Sequence, residues 1–299
     1  MTIFYSIIYN AKLNKIIRNL NYVLAPILPK KIKIHPSGFL KVKIKGTHSI
    51  TLKTNQTSFV TRELFWNGSQ NYEYTPIFMK LIQKVDHFFD IGASIGYFSL
   101  LGAEVNKTLK IEAFEPSVGS KIYLSENIKI NDFIARIKVN FLALSDRFGE
   151  IDFCEIRNKK YPDIYNLSGE HNIGTKPHLK SITTRVNSNT LDNFVLKNKT
   201  TNIDLIKLDT EGCEDLILRE GSLTIDKFKP IIICEILFNR IEDQLEEIMR
   251  VHNYEFYNHI GLGLKKTTSI KRTFDNGIRN CFFVHPTKKH LIEEFILDQ

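Results

Sequence analysis

Residues 88–98 read Phe88-Phe89-Asp90-Ile91-Gly92-Ala93-Ser94-Ile95-Gly96-Tyr97-Phe98, and this stretch decides the fold. An apolar run ends in an acid, a glycine turn follows, and a second apolar run begins at Ile95. This order is typical of a strand that passes through a tight turn into a helix. Gly92 permits the turn, and Gly96 lets the helix pack close to the strand. The stretch therefore predicts the first βα unit of an open α/β sheet.

The same rhythm continues on the C-terminal side. Apolar runs that end in polar residues alternate with helical patterns, and two strands follow late in the chain. Strands that alternate with helices indicate a parallel sheet covered on both faces. We predict a Rossmann-like α/β fold with a mostly parallel, seven-stranded sheet. Its strands are expected at residues 85–91, 108–114, 137–144, 203–208, 231–236, 254–260 and 281–285.

The N-terminal part has a different character. Residues 1–62 contain eleven Lys or Arg residues and no Asp or Glu, although the net charge of the whole chain is only +8. Periodicity predicts a helix over 3–24 and a β-hairpin over 38–54. We therefore divide the chain into a basic extension of a helix plus a hairpin, residues 1–60, and a main domain, residues 61–299. A further helix is predicted over 62–84. The polar, glycine-containing segment 158–182 reads as a lid-like insertion.

The glycine turn predicts the cofactor. It lacks the middle glycine of the dinucleotide fingerprint, because Ser94 stands there. A carboxylate at Asp90 would repel a pyrophosphate and attract a cationic sulfonium, by roughly 3 kcal/mol per charge pair at about 5 Å. Glu115 ends the next strand, where an acid can accept both hydroxyls of a ribose. These signals together favour S-adenosylmethionine over NAD. The residues predicted to bind it are Asp90, Gly92, Ala93, Ser94, Gly96 and Glu115.

Four motifs stand at the ends of these strands. They are Phe89-Asp90-Ile91-Gly92-Ala93-Ser94-Ile95-Gly96-Tyr97-Phe98-Ser99, Ala113-Phe114-Glu115-Pro116, Ala143-Leu144-Ser145-Asp146 with Gly149, and Thr190-Leu191-Asp192 followed by Ile203-Asp204-Leu205-Ile206-Lys207-Leu208-Asp209-Thr210-Glu211-Gly212. Through them the chain resembles the FkbM-type methyltransferases over roughly residues 60–260. The resemblance implies a class I methyltransferase fold and methylation of a hydroxyl oxygen, often on sugars of surface glycans or on polyketide-type products. It also implies that Ala143 and Leu144 flank the adenine. The family usually has Asn where this chain has Ser94.

The last motif is the second chemical centre. Asp209 ends its strand facing the methyl-donor crevice, so we predict it to contact the cofactor and to serve in catalysis. Glu211 and His171, the latter in the lid-like segment, are the other candidates for the base that removes the acceptor proton. A salt-bridged trio of Lys207, Asp209 and Glu211 that only orders the loop is the structural alternative. Asp209 and Glu235 could together hold a divalent cation, but two carboxylates are too few to assign a metal.

Partners and location follow from charge and cysteines. Four scattered cysteines without a C-x-x-C pair favour a cytoplasmic protein. No secretory signal is expected at the N-terminus. The basic residues avoid the main domain, so no nucleic-acid partner is expected, although a nucleic-acid methyltransferase or binding protein is the alternative at a pI of 9.1. The third hypothesis for the function is a non-catalytic module that binds a membrane surface. Residues 1–35 are expected to contact the inner face of a membrane, where a lipid-linked glycan of polysaccharide biosynthesis would be the acceptor.

Overall fold

The computed structural model describes residues 3–29, 32–173 and 181–297. The α-helices in these ranges are α1 (Ile3–Ile8), α2 (Ala11–Leu24), α3 (Phe59–Asn67), α4 (Thr75–Leu81), α5 (Tyr97–Val105), α6 (Val118–Ile130), α7 (Leu191–Lys197), α8 (Glu214–Arg219), α9 (Ser222–Phe228) and α10 (Glu242–Val251). The strands are β1 (Gly38–Lys43), β2 (Ser49–Thr54), β3 (His87–Ile91), β4 (Lys110–Phe114), β5 (Ile137–Asn140), β6 (Ala143–Leu144), β7 (Gly149–Ile156), β8 (Ser181–Asn189), β9 (Leu205–Leu208), β10 (Ile231–Glu235), β11 (Glu255–Ile260), β12 (Gly263–Thr267) and β13 (Asn280–Val284).

A mostly parallel sheet forms the centre of the molecule, as predicted. Its strand order is β12-β11-β13-β10-β9-β3-β4-β5, so it has eight strands where seven were predicted. Strands β5, β4, β3, β9 and β10 are parallel, whereas β13, β11 and β12 pair in antiparallel fashion. The additional strand, β12, lies at the edge. Strand β3 lies between β4 and β9, so the strand order reverses direction at β3. Such a reversal opens a crevice at the carboxyl ends of the strands.

Two hydrophobic clusters cover the two faces of the sheet. One contains buried residues of β1 to β4 and α3 to α6, including Phe78, Phe88 and Leu124. The other contains buried residues of α7 to α10 and the opposite sides of β3, β9 and β10, including Ile206 and Ile232. Strands buried on both faces need continuous apolar runs, which is why Phe88 and Phe89 can both be fully buried. The predicted two-sided helix cover is confirmed.

The predicted N-terminal hairpin is formed by β1 and β2. Its apolar residues Leu40, Val42 and Leu52 belong to the same hydrophobic cluster as α5 and α6. Side chains of α6 and of its C-terminal cap bind the free edge of β2: Asn127 Oδ1 accepts from the backbone N–H of Lys53, and the cap residue Asn131 pairs with the N–H and the carbonyl of Thr51. Backbone N–H and carbonyl groups of this edge strand thereby find hydrogen-bond partners without a further strand. The same bonds join the hairpin to the body of the protein.

The structure corrects several predicted elements. The predicted helix over 3–24 is two helices, separated at Asn10, whose side chain caps α2 by accepting from two backbone N–H groups. The predicted helix over 62–84 ends at Asn67, because Gly68 has φ of 78°, and resumes only at α4. After β13 the chain forms two 3₁₀ turns, Pro286–Leu291 and Glu293–Phe295. None of the helices in the described ranges has the length and apolar character that crossing a membrane requires.

A second sheet of three strands, in the order β6-β8-β7, lies beside the crevice. Strand β8 was not predicted, and Ala143 and Leu144 belong to this sheet rather than to the end of β5. Residues 158–173 of the predicted insertion run from β7 over the crevice, and residues 174–180 lie outside the described part of the chain. The division at residue 60 and the lid role of 158–182 stay predictions.

Candidate active site

A cavity opens at the carboxyl ends of β3, β4, β9 and β10, where the strand order predicts a ligand. The predicted insertion forms part of its wall, through Ser168, Gly169, His171 and Ile173. Its other lining residues come from the ends of these strands and the loops that follow them, from β6 and β7, from the first turns of α3 and α6, and from the segment before α4. They are Phe59, Val60, Tyr72, Glu73, Ile91, Gly92, Ser94, Phe114, Glu115, Pro116, Ser120, Leu142, Ala143, Leu144, Phe153, Asp209, Thr210, Glu211, Cys213 and Glu235.

The two predicted chemical centres meet at Gly92. This residue has φ of 77°, and a Cβ added to it would lie 1.8 Å from the carbonyl oxygen of Asp209. The backbone N–H of Asp209 donates to the carbonyl of Ile91 at 3.2 Å. The glycine turn after β3 and the loop after β9 are therefore in direct backbone contact, and any side chain at position 92 would separate them.

Asp90 does not occupy the place that its electrostatic role requires. It is 1% exposed, and its Oδ2 accepts from the hydroxyl and the N–H of Ser99 at 2.6 and 3.1 Å. Its register partner on β9 is Lys207, whose Nζ lies 3.6 Å from Asp90 Oδ1 and 3.2 Å from Asp209 Oδ2. Asp90 is absent from the cavity wall. The Asp90 carboxylate is paired with a buried lysine and holds the start of α5, so its contact with the cofactor stays a prediction that this geometry does not support.

Lys207 is the centre of this charge network. Its Nζ also donates to the carbonyl of Gly92 at 3.2 Å. Burial opposes the ammonium charge, but the carboxylates of Asp209, Asp90 and Glu73 outweigh burial and raise the pKa of Lys207. A buried charge is tolerated only when it is paired and hydrogen-bonded. The predicted alternative of a salt-bridged Lys207 and Asp209 is therefore present, although Asp209 also remains on the cavity wall with 38% of its side chain exposed.

Glu115 is the acid that the sequence predicts to bind the hydroxyls of a ribose. It lines the cavity, and its two carboxylate oxygens accept from the backbone N–H groups of Ser94, at 2.7 Å, and Ser117, at 2.9 Å. Burial raises its pKa to about 7, against the lowering effect of these two N–H donors. Each carboxylate oxygen has a second lone pair, so both can still accept a hydroxyl.

The other predicted cofactor residues divide into two groups. Ser94, Ala143 and Leu144 line the cavity together with Gly92. The buried hydroxyl of Ser94 has no hydrogen-bond partner among the described residues. Ala93 and Gly96 lie behind the wall, where Gly96, at φ of 91°, precedes α5 and packs on Leu124. These two residues shape the turn without reaching the cavity.

The loop after β9 is held by a buried acid that the sequence did not single out. Glu214 accepts from the N–H and the hydroxyl of Thr210 and from the N–H of Gly212. This arrangement places Glu211, at φ of 63°, on the cavity wall beside Asp209. Glu214 itself is buried and makes no part of the cavity, so it positions the loop.

His171 lines the cavity, but its ring nitrogens are both occupied. Nδ1 accepts from the backbone N–H of Ile156 at 3.0 Å, and Nε2 lies 2.8 Å from the carbonyl of Asn166. Because the Ile156 N–H must donate, the proton of the neutral ring sits on Nε2 and binds that carbonyl. Burial lowers the pKa of His171 and keeps the ring neutral. In this arrangement the ring has no lone pair left for an acceptor proton, so the geometry does not support the prediction of His171 as general base.

Glu73 is the functional candidate that the sequence reading missed. It lies between α3 and α4, in the gap that was predicted to be helical, and it lines the cavity at φ of 43°. Its neighbours are anchored on α5: the Tyr72 ring meets Tyr97 edge-on at 5.4 Å, and the Tyr74 ring stacks on Phe98 at 4.8 Å. Burial, followed by the Asp209 carboxylate, raises the pKa of Glu73 to about 7, while Lys207 lowers it.

Backbone strain is concentrated at this cavity. Eight non-glycine residues in the described ranges have positive φ, and three of them, Glu73, Ser94 and Glu211, line the cavity. Such conformations cost free energy and persist where the surrounding structure imposes them, often at functional sites. A tyrosine-glutamate-tyrosine segment followed by Thr75-Pro76 was the available sequence signal for Glu73, since the residue before a proline resists the helical conformation.

The cavity is acidic. Its described lining contains five carboxylates, Glu73, Glu115, Asp209, Glu211 and Glu235, and no lysine or arginine. A cationic sulfonium compound with a ribose and an adenine therefore fits this wall, with Leu142 to Leu144 as its apolar part. One oxygen each of Asp209, Glu211 and Glu235 lies within 4.8 Å of the others. Exposed acids often lie this close without an ion, and Lys207 already pairs with Asp209, so we assign no metal to them.

A family model and two solved structures are similar to this chain. A family model described as methyltransferase FkbM domain matches residues 90–256. No curated protein is similar enough to the chain to count as a match. Among solved structures, the chain is similar to the methyltransferase FkbM of Methylobacillus flagellatus, with 18% identity over 67% of this chain and 43% of that chain and a TM-score of 0.41. It thus spans less than half of that chain. A precorrin-6y C5,15-methyltransferase of Geobacter metallireducens is similar at 8% identity over 69% of this chain and 85% of that chain, with a TM-score of 0.39.

Proposed function

The chain belongs to the FkbM methyltransferase family, and from that premise we propose that it transfers a methyl group from S-adenosylmethionine to a hydroxyl oxygen of a sugar or a related small molecule. When bound, the cofactor supplies the methyl group on a cationic sulfonium. The observation that carries the proposal is the set of five carboxylates, without a lysine or arginine, around the cavity. Their charge complements the cofactor and disfavours phosphate-bearing acceptors.

The same carboxylates support a polyol acceptor. Sugar hydroxyls are hydrogen-bond donors, and ionised carboxylates offer only acceptors. Phe59 and Phe153 lie on the wall of the cavity and present apolar surface to a sugar ring. A nucleic-acid acceptor is less well supported, because its phosphates would approach five acids, and none of the basic residues described within segment 1–62 lines this wall.

We propose Glu73 as the base that accepts the hydroxyl proton. His171 has no free lone pair, and Asp209 is paired with Lys207 at 3.2 Å. Glu73 lines the same cavity, and its pKa of about 7 lies close to neutral pH, where proton transfer from an alcohol is most effective. The charges of Asp209 and Lys207 then influence the pKa of Glu73. Glu211, on the loop after β9, stays a second candidate for the base.

The acceptor class is tested with purified full-length protein. We expect calorimetry to show binding of S-adenosylmethionine, and we expect radiolabelled methyl groups to pass to extracted glycans or sugar derivatives and not to RNA. Glycans from wild-type and deletion strains should then differ in mass by one methyl group. Transfer of the label to RNA, at a rate that falls steeply with salt, would contradict the hydroxyl-of-sugar assignment while leaving the methyltransferase family intact.

A further inference from the structure

The N-terminal helix α2 buries its polar face and exposes its apolar face, the reverse of a typical surface helix. Its buried residues are the polar Asn14, Arg18 and Asn21, which recur at helical spacing. Its apolar residues point outward instead. Leu13, Ile16, Leu20 and Val23 are 44%, 69%, 58% and 72% exposed, and Ile27, just beyond the helix, is 80% exposed. Their spacing of three and four residues makes one continuous stripe.

Hydrogen bonds fix this orientation. Arg18 donates to the side chain of Asn14 and to the carbonyls of Ser37 and Phe39. Asn14 accepts from the backbone N–H of Ser37, and Asn21 accepts from the backbone N–H of Ile34. The helix also lies so close to β1 that a Cβ at Gly38 would be 2.7 Å from the carbonyl oxygen of Ala11. Rolling α2 to bury its apolar stripe would break these bonds, so the stripe belongs to the outer surface.

The charge around the stripe selects what covers it. Lys12 and Lys15 are exposed on α2, and segment 1–62 carries eleven basic residues without one acid. A second copy would bring the same positive charge against itself. An anionic lipid surface would neutralise it, and an amphipathic helix with flanking lysines is suited to lie in such an interface.

The position of the cavity supports the same occupant. A groove beside α1 is lined by Phe4, Tyr5 and Tyr9 and by residues of the predicted insertion. Phe59 and Ser168 line both this groove and the catalytic cavity. Phe4 and Ile7 of α1 are 67% and 50% exposed. A surface that rests on α1 would therefore lie beside a groove that shares two lining residues with the cavity.

We propose that the outward apolar stripe of α2, with α1, docks the protein on an anionic lipid bilayer. The helix inserts Ile16, Leu20 and Val23 among the acyl chains while Lys12 and Lys15 contact the headgroups. Docking brings the groove between α1 and the insertion to the lipid surface, where an acceptor attached to a lipid could enter. The docking itself requires no acceptor and no cofactor.

The test is co-sedimentation of the full-length protein with phosphatidylcholine vesicles that contain or lack phosphatidylglycerol. We expect binding only to the anionic vesicles and weaker binding at high salt. Replacing Ile16, Leu20 and Val23 together by Gln should reduce the partition coefficient by about tenfold or more. A matched control replaces three equally exposed apolar residues of the main domain, Leu196, Leu223 and Val251, by Gln, and it should bind like the wild type.

Folding and self-association are measured on the same samples. Circular dichroism and cofactor calorimetry should be unchanged in the stripe variant, because its three side chains are exposed. Should that variant fail to fold, Lys12→Glu with Lys15→Glu provides the second test, and it should abolish binding to anionic vesicles. Wild-type protein that ignores anionic vesicles would overturn the proposal. So would a wild-type dimer that the stripe variant converts to a monomer while vesicle binding stays the same.

Discussion

The two ends of the catalytic cavity are built in different ways. At the end predicted to bind the cofactor, the turns after two adjacent strands supply Gly92, Ser94 and Glu115. At the other end, Glu73, Asp209 and Glu235 come from three segments far apart in the chain. The first end is a local product of the βα turn, whereas the second exists only after the sheet and the helices have packed.

Both ends of the cavity contain features that cost free energy of folding, namely a buried charge and strained backbone. Lys207 connects the two ends, because its Nζ reaches the Gly92 carbonyl, Asp90 and Asp209. Strained backbone also occurs at both ends, at Ser94 and at Glu73. If the two ends are distinct, variants should separate cofactor binding from turnover, and only a change at the connecting lysine should damage both.

The largest effect is expected from Lys207→Met. Asp90 would be left as a buried charge without its cation, which typically costs about 3–5 kcal/mol of unfolding free energy. Urea denaturation measures the loss, and cofactor binding and turnover should fall together. The control is Lys138→Met, because that lysine is half-exposed and pairs with Glu112, so it should change stability by at most about 1 kcal/mol. Adding Asp90→Asn to Lys207→Met should recover part of the loss. No recovery would mean that the Asp90 charge is not what the lysine balances.

Glu73→Gln should reduce turnover without changing cofactor binding. The amide keeps the shape but cannot take a proton, so kcat should fall by about 10²- to 10⁴-fold, while calorimetric affinity for S-adenosylmethionine stays the same. Glu63→Gln on α3, outside the cavity wall, is the control. Wild-type kcat in the Glu73 variant would return the role of base to Asp209 or Glu211.

The pH profile of kcat gives a second measure of Glu73. Its pKa is raised to about 7, so the carboxylate is protonated and inactive as a base below that pH. At saturating substrates, kcat of the wild type should therefore rise with pH through about 7 and then level off. The residual kcat of Glu73→Gln should lack this rise. An unchanged acidic limb in the variant would assign the limb to another group.

Glu115→Gln should damage the cofactor end alone. Loss of a charged hydrogen-bond acceptor typically costs about 1.5–3 kcal/mol, so the Kd for S-adenosylmethionine should rise about 10- to 100-fold with a smaller change in kcat at saturating cofactor. Glu112→Gln, on β4 shortly before Glu115 but off the cavity wall, serves as the control. A drop in kcat without a change in Kd would place Glu115 at the acceptor instead.

The smallest effect is expected from Ser94→Asn. Ser94 has φ of 51°, and asparagine tolerates the left-handed region better than serine does. The substitution should leave the protein equally stable or stabilise it by up to about 1 kcal/mol, as measured by thermal unfolding without ligand. Clear destabilisation would show that the small side chain, rather than the backbone, is what this position requires.

The βα order, the glycine turn at Gly92, the acid at Glu115 and the family can be predicted from sequence, because these depend on residues that are close together in the chain. Which charges meet depends on how distant segments pack. Asp90 and Lys207 are brought together by the register of β3 and β9, and His171 loses its lone pair to a backbone N–H of another segment. Glu73 stood in a run that reads as helical until Gly68 ends the helix. Local pattern predicts backbone conformation, whereas the partner of a side chain depends on packing between distant segments.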